Sequence, residues 1–186
     1  MNSLEAIEQN TRHKYALEQC MKFLKKSDKI LDIGAHTGTM GELLKSQNFI
    51  NVDGIDISVQ MLQIAREKDI YRNYFVGIID PNIPSTLSAH SYDAIVVVDN
   101  FAVGDLSIEC LECLLKLVRP GGRVVLANRE QWMRDQSALH PCWSGGLEQK
   151  ITDLSDEGTV KILSSFVDEN PDDDQRGAYV VLEPVK

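Results

Sequence analysis

The sequence predicts an α/β fold in which a doubly wound, mostly parallel sheet carries helices on both faces. Two observations lead there. Short apolar segments of strand length alternate along the chain with stretches whose apolar residues recur at helical spacing. Residues 30–38, ILDIGAHTG, read as a buried strand that passes an acid and enters a glycine-punctuated loop ahead of a helix. Glycine at 34 and 38 lets the backbone turn tightly and bring its amides against a ligand. The helix from about Thr39 points its N-terminus into the same space.

Each element follows from local pattern. Leu17, Cys20, Met21 and Leu24 fall at i, i+3, i+4 and i+7, so an N-terminal helix can pack one stripe on the sheet. Residues 30–33 form the first strand and 52–57 the second, closed by Asp56 22 residues after Gly34. Ser58 then caps a helix whose apolar face carries Met61, Leu62, Ile64 and Ala65. A third strand covers about 74–79. The fourth, 92–99, has the continuous apolar run of a strand buried on both faces. Ile108, Leu111, Leu114, Leu115 and Val118 recur at helical spacing until Arg119-Pro-Gly-Gly122 breaks the helix, and a fifth strand covers 123–127. Residues 160–167 and 178–182 read as two late strands around an acidic, proline-containing turn, which makes seven in all.

Glycine spacing decides the ligand. A dinucleotide fingerprint wants glycines at its first, third and sixth positions, and Gly34, His36 and Thr39 miss two of the three. The segment instead resembles motif I of class I S-adenosylmethionine-dependent methyltransferases, acid-x-Gly-x-Gly-x-Gly, with Asp32, Gly34 and Gly38 matching and His36 in place of the middle glycine. Asp56 stands in register for a carboxylate that accepts both hydroxyls of an adenosyl ribose. Residues 54–65 resemble the post-I segment of small-molecule methyltransferases, the strand before Asp99 resembles motif IV, and LVRPGGRVVLAN (117–128) resembles the post-IV element. Within that class, AREKDIY (65–71), SYDA (91–94) and VDNF (98–101) resemble the methyltransferase-like family of the Williams-Beuren region.

The resemblance implies a Rossmann-like, seven-stranded sheet with a C-terminal antiparallel hairpin, one domain over residues 1–186, and S-adenosyl-L-methionine as cofactor with S-adenosyl-L-homocysteine as product. Residues 1–29 are short for the family, which implies a thin roof and an open site. Gly34 with its neighbours Ala35 and His36, and Gly38, would approach the methionine moiety, while Asp32 orients its ammonium. Asp56 would take the ribose diol and Ile57 one face of the adenine. Ile78, Ile79 or Asp80 would meet the adenine edge, where Asp80 substitutes for the family's usual acid. Asp99 and Asn100 would lie where donor and acceptor meet. His36 admits three readings: an outward-pointing side chain, a cofactor-contacting imidazole, or the mark of a site that binds poorly. No residue is assigned as catalytic, because methyl transfer from a sulfonium requires mainly alignment and exclusion of water.

Bulk properties narrow the function classes. A chain of 186 residues can bury a core without disulfides or metals. A net charge of −9 argues against a nucleic-acid substrate, since phosphate neutralisation needs clustered Lys and Arg. There is no run of about 18 apolar residues to span a bilayer and no signal-peptide core, so no membrane partner and a cytoplasmic address are expected. Four cysteines in such a compartment argue against disulfides. Cys110 and Cys113 with His140 and Cys142 could be arranged as a zinc set, but the helix stripe explains the first pair as small buried hydrophobes, so no metal is expected. The run Asp172-Asp-Asp174 reads as a solvated loop. Trp132 and Trp143 fit either an acceptor wall or core packing. The expectation is therefore a methyltransferase acting on a small-molecule acceptor. The alternative is a catalytically silent module that kept the fold to bind S-adenosylmethionine or a partner, and a nicotinamide-dependent oxidoreductase is disfavoured by the glycines.

Overall fold

A computed structural model of the protein describes residues 11–80, 82–101, 105–134, 146–168 and 176–185. The acidic run 172–174, His140, Cys142 and Trp143 lie outside the described residues. In chain order the elements are α1 (Thr11–Phe23), β1 (Ile30–Ile33), α2 (Thr39–Ser46), β2 (Val52–Asp56), α3 (Val59–Glu67), β3 (Tyr74–Val76) and β4 (Tyr92–Val98). They continue with α4 (Cys110–Leu117), β5 (Val118–Arg129), α5 (Glu130–Arg134), α6 (Leu147–Asp156), β6 (Val160–Val167) and β7 (Gly177–Pro184).

The seven strands form one sheet in the order β3-β2-β1-β4-β5-β7-β6. From β3 to β5 every pairing is parallel, and β7 inserts antiparallel to both β5 and β6. Alternating side chains of the buried strands feed two cores. Leu31, Ile33, Ile95, Val97, Val124 and Leu126 face α4 and α6, while Ile30, Val52, Ala94, Val96 and Val125 face α1, α2 and α3. Strand order reverses between β1 and β4, whose following helices lie on opposite faces. A crevice opens above their C-terminal ends, the position where doubly wound sheets bind ligands.

Several elements differ in extent from the sequence pattern, each for a physical reason. β2 stops at Asp56, because that residue turns the chain into the Ser58 cap of α3, where Ser58 Oγ accepts from the Met61 amide at 3.3 Å. β3 pairs only with β2 and ends at Val76, opposite Asp56, so residues 77–79 have no strand left to pair with. β5 starts at Val118, earlier than 123, because the Pro-Gly-Gly turn sits inside it. Val118 pairs with Tyr92 and Arg123 with Ala94, and residues 119–122 bulge out between them. Two helix stripes are narrower than expected: Met21 is 44% exposed and Met61 and Ile64 are exposed, while Leu17, Cys20, Leu24, Leu62 and Ala65 are buried. Cys110 and Cys113 are buried in the core beside Leu111 and Leu114, and Trp132 packs against that core as the packing reading expects. No cluster that could hold a metal exists among the described residues. No described helix is long and apolar enough to cross a membrane.

One buried ring explains two glycines that no turn requires. Tyr71, 4% exposed, lies in the connection from α3 to β3 with its ring against Gly41 of α2 and Gly54 of β2. A Cβ at Gly54 would stand 2.7 Å from the nearest ring carbon. Gly54→Ala should therefore cost about 1 to 3 kcal/mol, the scale of overpacking a filled core, read as a lower urea midpoint with unchanged m. An unchanged midpoint would mean that the ring does not constrain β2.

Candidate functional site

The loop leaving β1 is built from backbone hydrogen bonds. The amides of Gly34 and Ala35 both donate to the Ile55 carbonyl at 3.0 Å, which fastens the loop to β2. Gly34 sits at φ +69°, and a Cβ there would collide with the side chain of Asn100. Both facts demand glycine. Gly38, at φ +93°, starts α2 and leaves room for Ile70. Asn100 closes the far side, donating from Nδ2 to the carbonyls of Val98 at 2.7 Å and Ile33 at 3.2 Å.

Asp56 joins two turns. One carboxylate oxygen accepts from the His36 amide and the other from the Ser58 amide, each at 2.8 Å. Each oxygen keeps acceptor capacity beyond these bonds, and the carboxylate lines the cleft described below. His36 occupies the left-handed region at φ +46°, uncommon for a residue with a Cβ, and its side chain is 60% exposed. Its Nδ1 stands 4.0 Å from Asp56 Oδ2.

Asp32 is the buried acid of the site. It faces the apolar side of the sheet between Ile30 and the α1–α2 core, 2% exposed, and among the described residues its one hydrogen-bond donor is Tyr71, whose hydroxyl reaches Oδ2 at 2.5 Å. Burial pushes its carboxyl up to about 7; the Tyr71 hydrogen bond pulls against that rise, and the charge of Asp56 adds to it. The folded value thus lies above the ordinary 3.8. This group favours the fold most at acid pH below that ordinary value, and its contribution is lost as pH rises through about 7.

Two clefts flank the glycine loop. The first, about 130 Å³, lies on the β2–β3 side and includes Gly34, Asp56, Ile57, Ile79, Asn100 and Asp105. The second, about 210 Å³, lies on the α1–α2 side and includes His13, Asp32, Ala35, Thr39 and Met40. His36 borders both. Of the residues singled out in the sequence, Asp32, Gly34, Ala35, His36, Asp56, Ile57, Ile79 and Asn100 are brought together here. Gly38 stands behind them. Asp80 is exposed outside the first cleft, where its Oδ1 accepts from the Asn82 amide at 2.7 Å. Asp99, at φ +56° beyond β4, is engaged by Arg12 of α1, whose Nε lies 2.6 and 2.7 Å from its two oxygens.

Sequence reasoning missed Arg12, His13, Tyr71 and Asp105. Burial pushes the His13 imidazole down to about 4, opposed by Asp99 and assisted by Arg12 and His36, so the ring is neutral at pH 7. Its Nδ1 is buried without a hydrogen-bond partner among the described residues, on the wall of the second cleft. Asp105 is pushed up by desolvation, with His36 opposing and Asp56 reinforcing the shift. An S-adenosyl ligand fits this donor set: a carboxylate with spare acceptor capacity in one cleft, a buried acid and an orphaned imidazole nitrogen in the other, and a loop that a Cβ would fill.

Comparison with known proteins agrees with this geometry. A family profile described as "Methyltransferase domain" matches residues 31–124, which is 94 of the 186 residues. The uncharacterized methyltransferase YdaC of Bacillus subtilis is 25% identical over 123 residues, covering 65% of this chain and 66% of that protein. The malonyl-[acyl-carrier protein] O-methyltransferase of Halalkalibacterium halodurans is 33% identical over 103 residues, 53% of this chain and 38% of that one. The chain spans between 38% and 66% of the length of the curated relatives it matches. Among solved structures, the N-methyltransferase NodS of Bradyrhizobium japonicum, in complex with S-adenosyl-L-homocysteine, superposes with a TM-score of 0.71 at 18% identity, covering 94% of this chain and 86% of NodS. At that identity the likeness is one of fold. With the glycine loop, the strand order and the matched profile in agreement, the chain belongs to the methyltransferase domain family, on the class I, Rossmann-like α/β fold.

Proposed function

We propose that the protein transfers a methyl group from S-adenosyl-L-methionine to a small-molecule acceptor. The observation that carries this reading is the pair of carboxylates, Asp32 and Asp56, opening into the two clefts on either side of one glycine loop. When bound, the cofactor supplies a methyl group on a cationic sulfur, and the product is S-adenosyl-L-homocysteine. Asp56 binds the ribose diol with the acceptor capacity its two amide bonds leave free. Ile57 and Ile79 flank the adenine, and Asp80 reaches the adenine edge by turning away from the Asn82 amide. Asp32, with Ala35 and the loop amides around Gly34, binds the amino-acid end. Asn100 fixes the loop from the β4 side, and the Arg12–Asp99 pair closes the acceptor side against water.

The rest of the proposal follows from charge and pattern. Residues 1–186 act as one domain in the cytoplasm, without a nucleic-acid or membrane partner. The −9 net charge supports an acceptor other than a polyanion. The segments at 65–71, 91–94 and 98–101 support a place near the Williams-Beuren methyltransferase-like family. A second reading, a silent cofactor-binding or partner-binding module, is favoured by one observation: His36 holds a left-handed position that motif I gives to glycine.

Two measurements test these readings. S-adenosyl-L-homocysteine at about a hundred times its dissociation constant should stabilise the fold by about 2.7 kcal/mol, raising the melting temperature by about 5 to 10 °C, while NAD leaves it unchanged. Equal stabilisation by NAD would sink the assignment. Methyl-labelled donor incubated with small-molecule extracts should yield labelled product; tight binding without turnover would select the silent module.

His36→Gly separates the same readings by affinity. Relief of the left-handed backbone should stabilise the fold by up to about 1 kcal/mol. Affinity for S-adenosyl-L-homocysteine should change less than about tenfold, because the position acts through its amide on Asp56 and its side chain is mostly in solvent. A hundredfold gain by calorimetry would refute this and favour the silent scaffold.

A further inference from the structure

We infer that Tyr71 is the positioning residue for Asp32: its hydroxyl holds one carboxylate oxygen so that the other faces the second cleft and receives the ammonium of the methyl donor. This rests on the proposal that the second cleft takes the amino-acid end of an S-adenosyl ligand.

The geometry is specific. Asp32 and Tyr71 are 39 residues apart, both are buried, and Tyr71 supplies the one hydrogen bond Asp32 receives from the described residues. The Tyr71 ring is fixed on several sides. Gly41 and Gly54 leave it the space a Cβ would take, and Tyr74 meets it edge-on with ring centroids 5.5 Å apart. The Tyr74 hydroxyl also accepts from the amides of Ile70 and Tyr71, each at 3.0 Å. Burial and Asp32 push its own ionisation well above the ordinary tyrosine value, which keeps the hydroxyl protonated near neutral pH.

A buried carboxyl that keeps its proton to about pH 7 must lose it to pair with a cation. Binding therefore releases that proton to solvent below pH 7, and Tyr71 sets where the release occurs by favouring the charged form. Other ionisable groups bear on this one: His13 of α1 and His36 of the loop line the same cleft, the charge of Asp56 at the end of β2 acts on Asp32, Asp32 in turn acts on the buried Cys20 of α1, and Asp99 beyond β4 acts on His13. Among the described residues, the cleft receives from α2 and β4 Thr39, Met40 and Val98.

Calorimetric titration of S-adenosyl-L-homocysteine from pH 5.5 to 8.5, in buffers of different ionisation enthalpy, tests the inference. For the native chain we expect affinity to fall about tenfold per unit below about pH 7, with up to one proton released per ligand. Tyr71→Phe keeps the ring between the two glycines and should move the inflection upward by about one pH unit, with affinity above it nearly unchanged. Placing 3-fluorotyrosine at 71, whose more acidic hydroxyl donates more strongly, should move it down and keeps the test decisive if the phenylalanine variant fails to fold. Asp32→Asn should remove this inflection; an inflection that persists unchanged there overturns the assignment of the released proton to Asp32. Inflections that coincide in the native, phenylalanine and fluorotyrosine proteins overturn the inference, even where the melting temperature drops, because that pattern marks a purely structural tyrosine. Absence of binding by the native chain at every pH overturns the reading of the cleft itself.

Discussion

Asp56 is the constraint on which the site depends. Its two oxygens accept amides from two different turns, His36 after β1 and Ser58 before α3, and so set the spacing between the glycine loop and the β2 end. A carboxylate bonded to backbone amides makes short, charge-assisted contacts that neutral side chains cannot replace. The left-handed His36 follows from this: the backbone must turn there for its amide to point at Asp56, whatever side chain it carries. With the turn held from below, Gly34 and Asn100 can be in direct contact above it, and the crevice at the strand-order reversal becomes two clefts joined at one ridge.

What the sequence made legible is what local chemistry dictates. Glycine at 34 and 38, the acid at 32 and the acid at 56 lie within a short stretch of chain where backbone conformation and strand register are set by near neighbours. The limits of β3 and β5 were less legible because they depend on partners: β3 ends where β2 turns away, and β5 absorbs a four-residue bulge that reads as a strand breaker in isolation. Tyr71 and Arg12 were not found, since their partners are 39 and 87 residues away and nothing local requires them. A weak signal existed in each case. Gly41 in the middle of an amphipathic helix and Gly54 in the middle of a buried strand carry no turn, which marks a bulky neighbour on that face. Arg12 interrupts the apolar stripe of α1, and a charged residue on a packing face must meet a partner there.

Helix α1 covers one side of the site. α1 packs on β5 and β7, where Tyr15 meets Tyr179 at 5.1 Å and Phe166 at 5.7 Å between ring centroids, and Tyr179 in turn donates to Asp168 at 2.9 Å. This aromatic anchor on the antiparallel edge fixes the helix axis, and the N-terminal turn then carries Arg12 to Asp99 and His13 to the wall of the second cleft. On this side a helix reaches across the end of β4.

Charge placement bears most directly on which ligand the clefts would hold. Asp32, Asp56 and Asp105 line them, Asp99 stands just beyond, and the cation bonded among these acids is Arg12. A pyrophosphate in this loop would meet Asp32 on one side and Asp56 on the other, with no lysine among the described residues that line either cleft. An ammonium or sulfonium instead relieves the repulsion that, together with burial, holds Asp32 protonated near neutral pH. A cationic ligand thus offsets the cost of burying a charged Asp32. That favours an S-adenosyl compound over a dinucleotide on electrostatic grounds, independently of the glycine spacing.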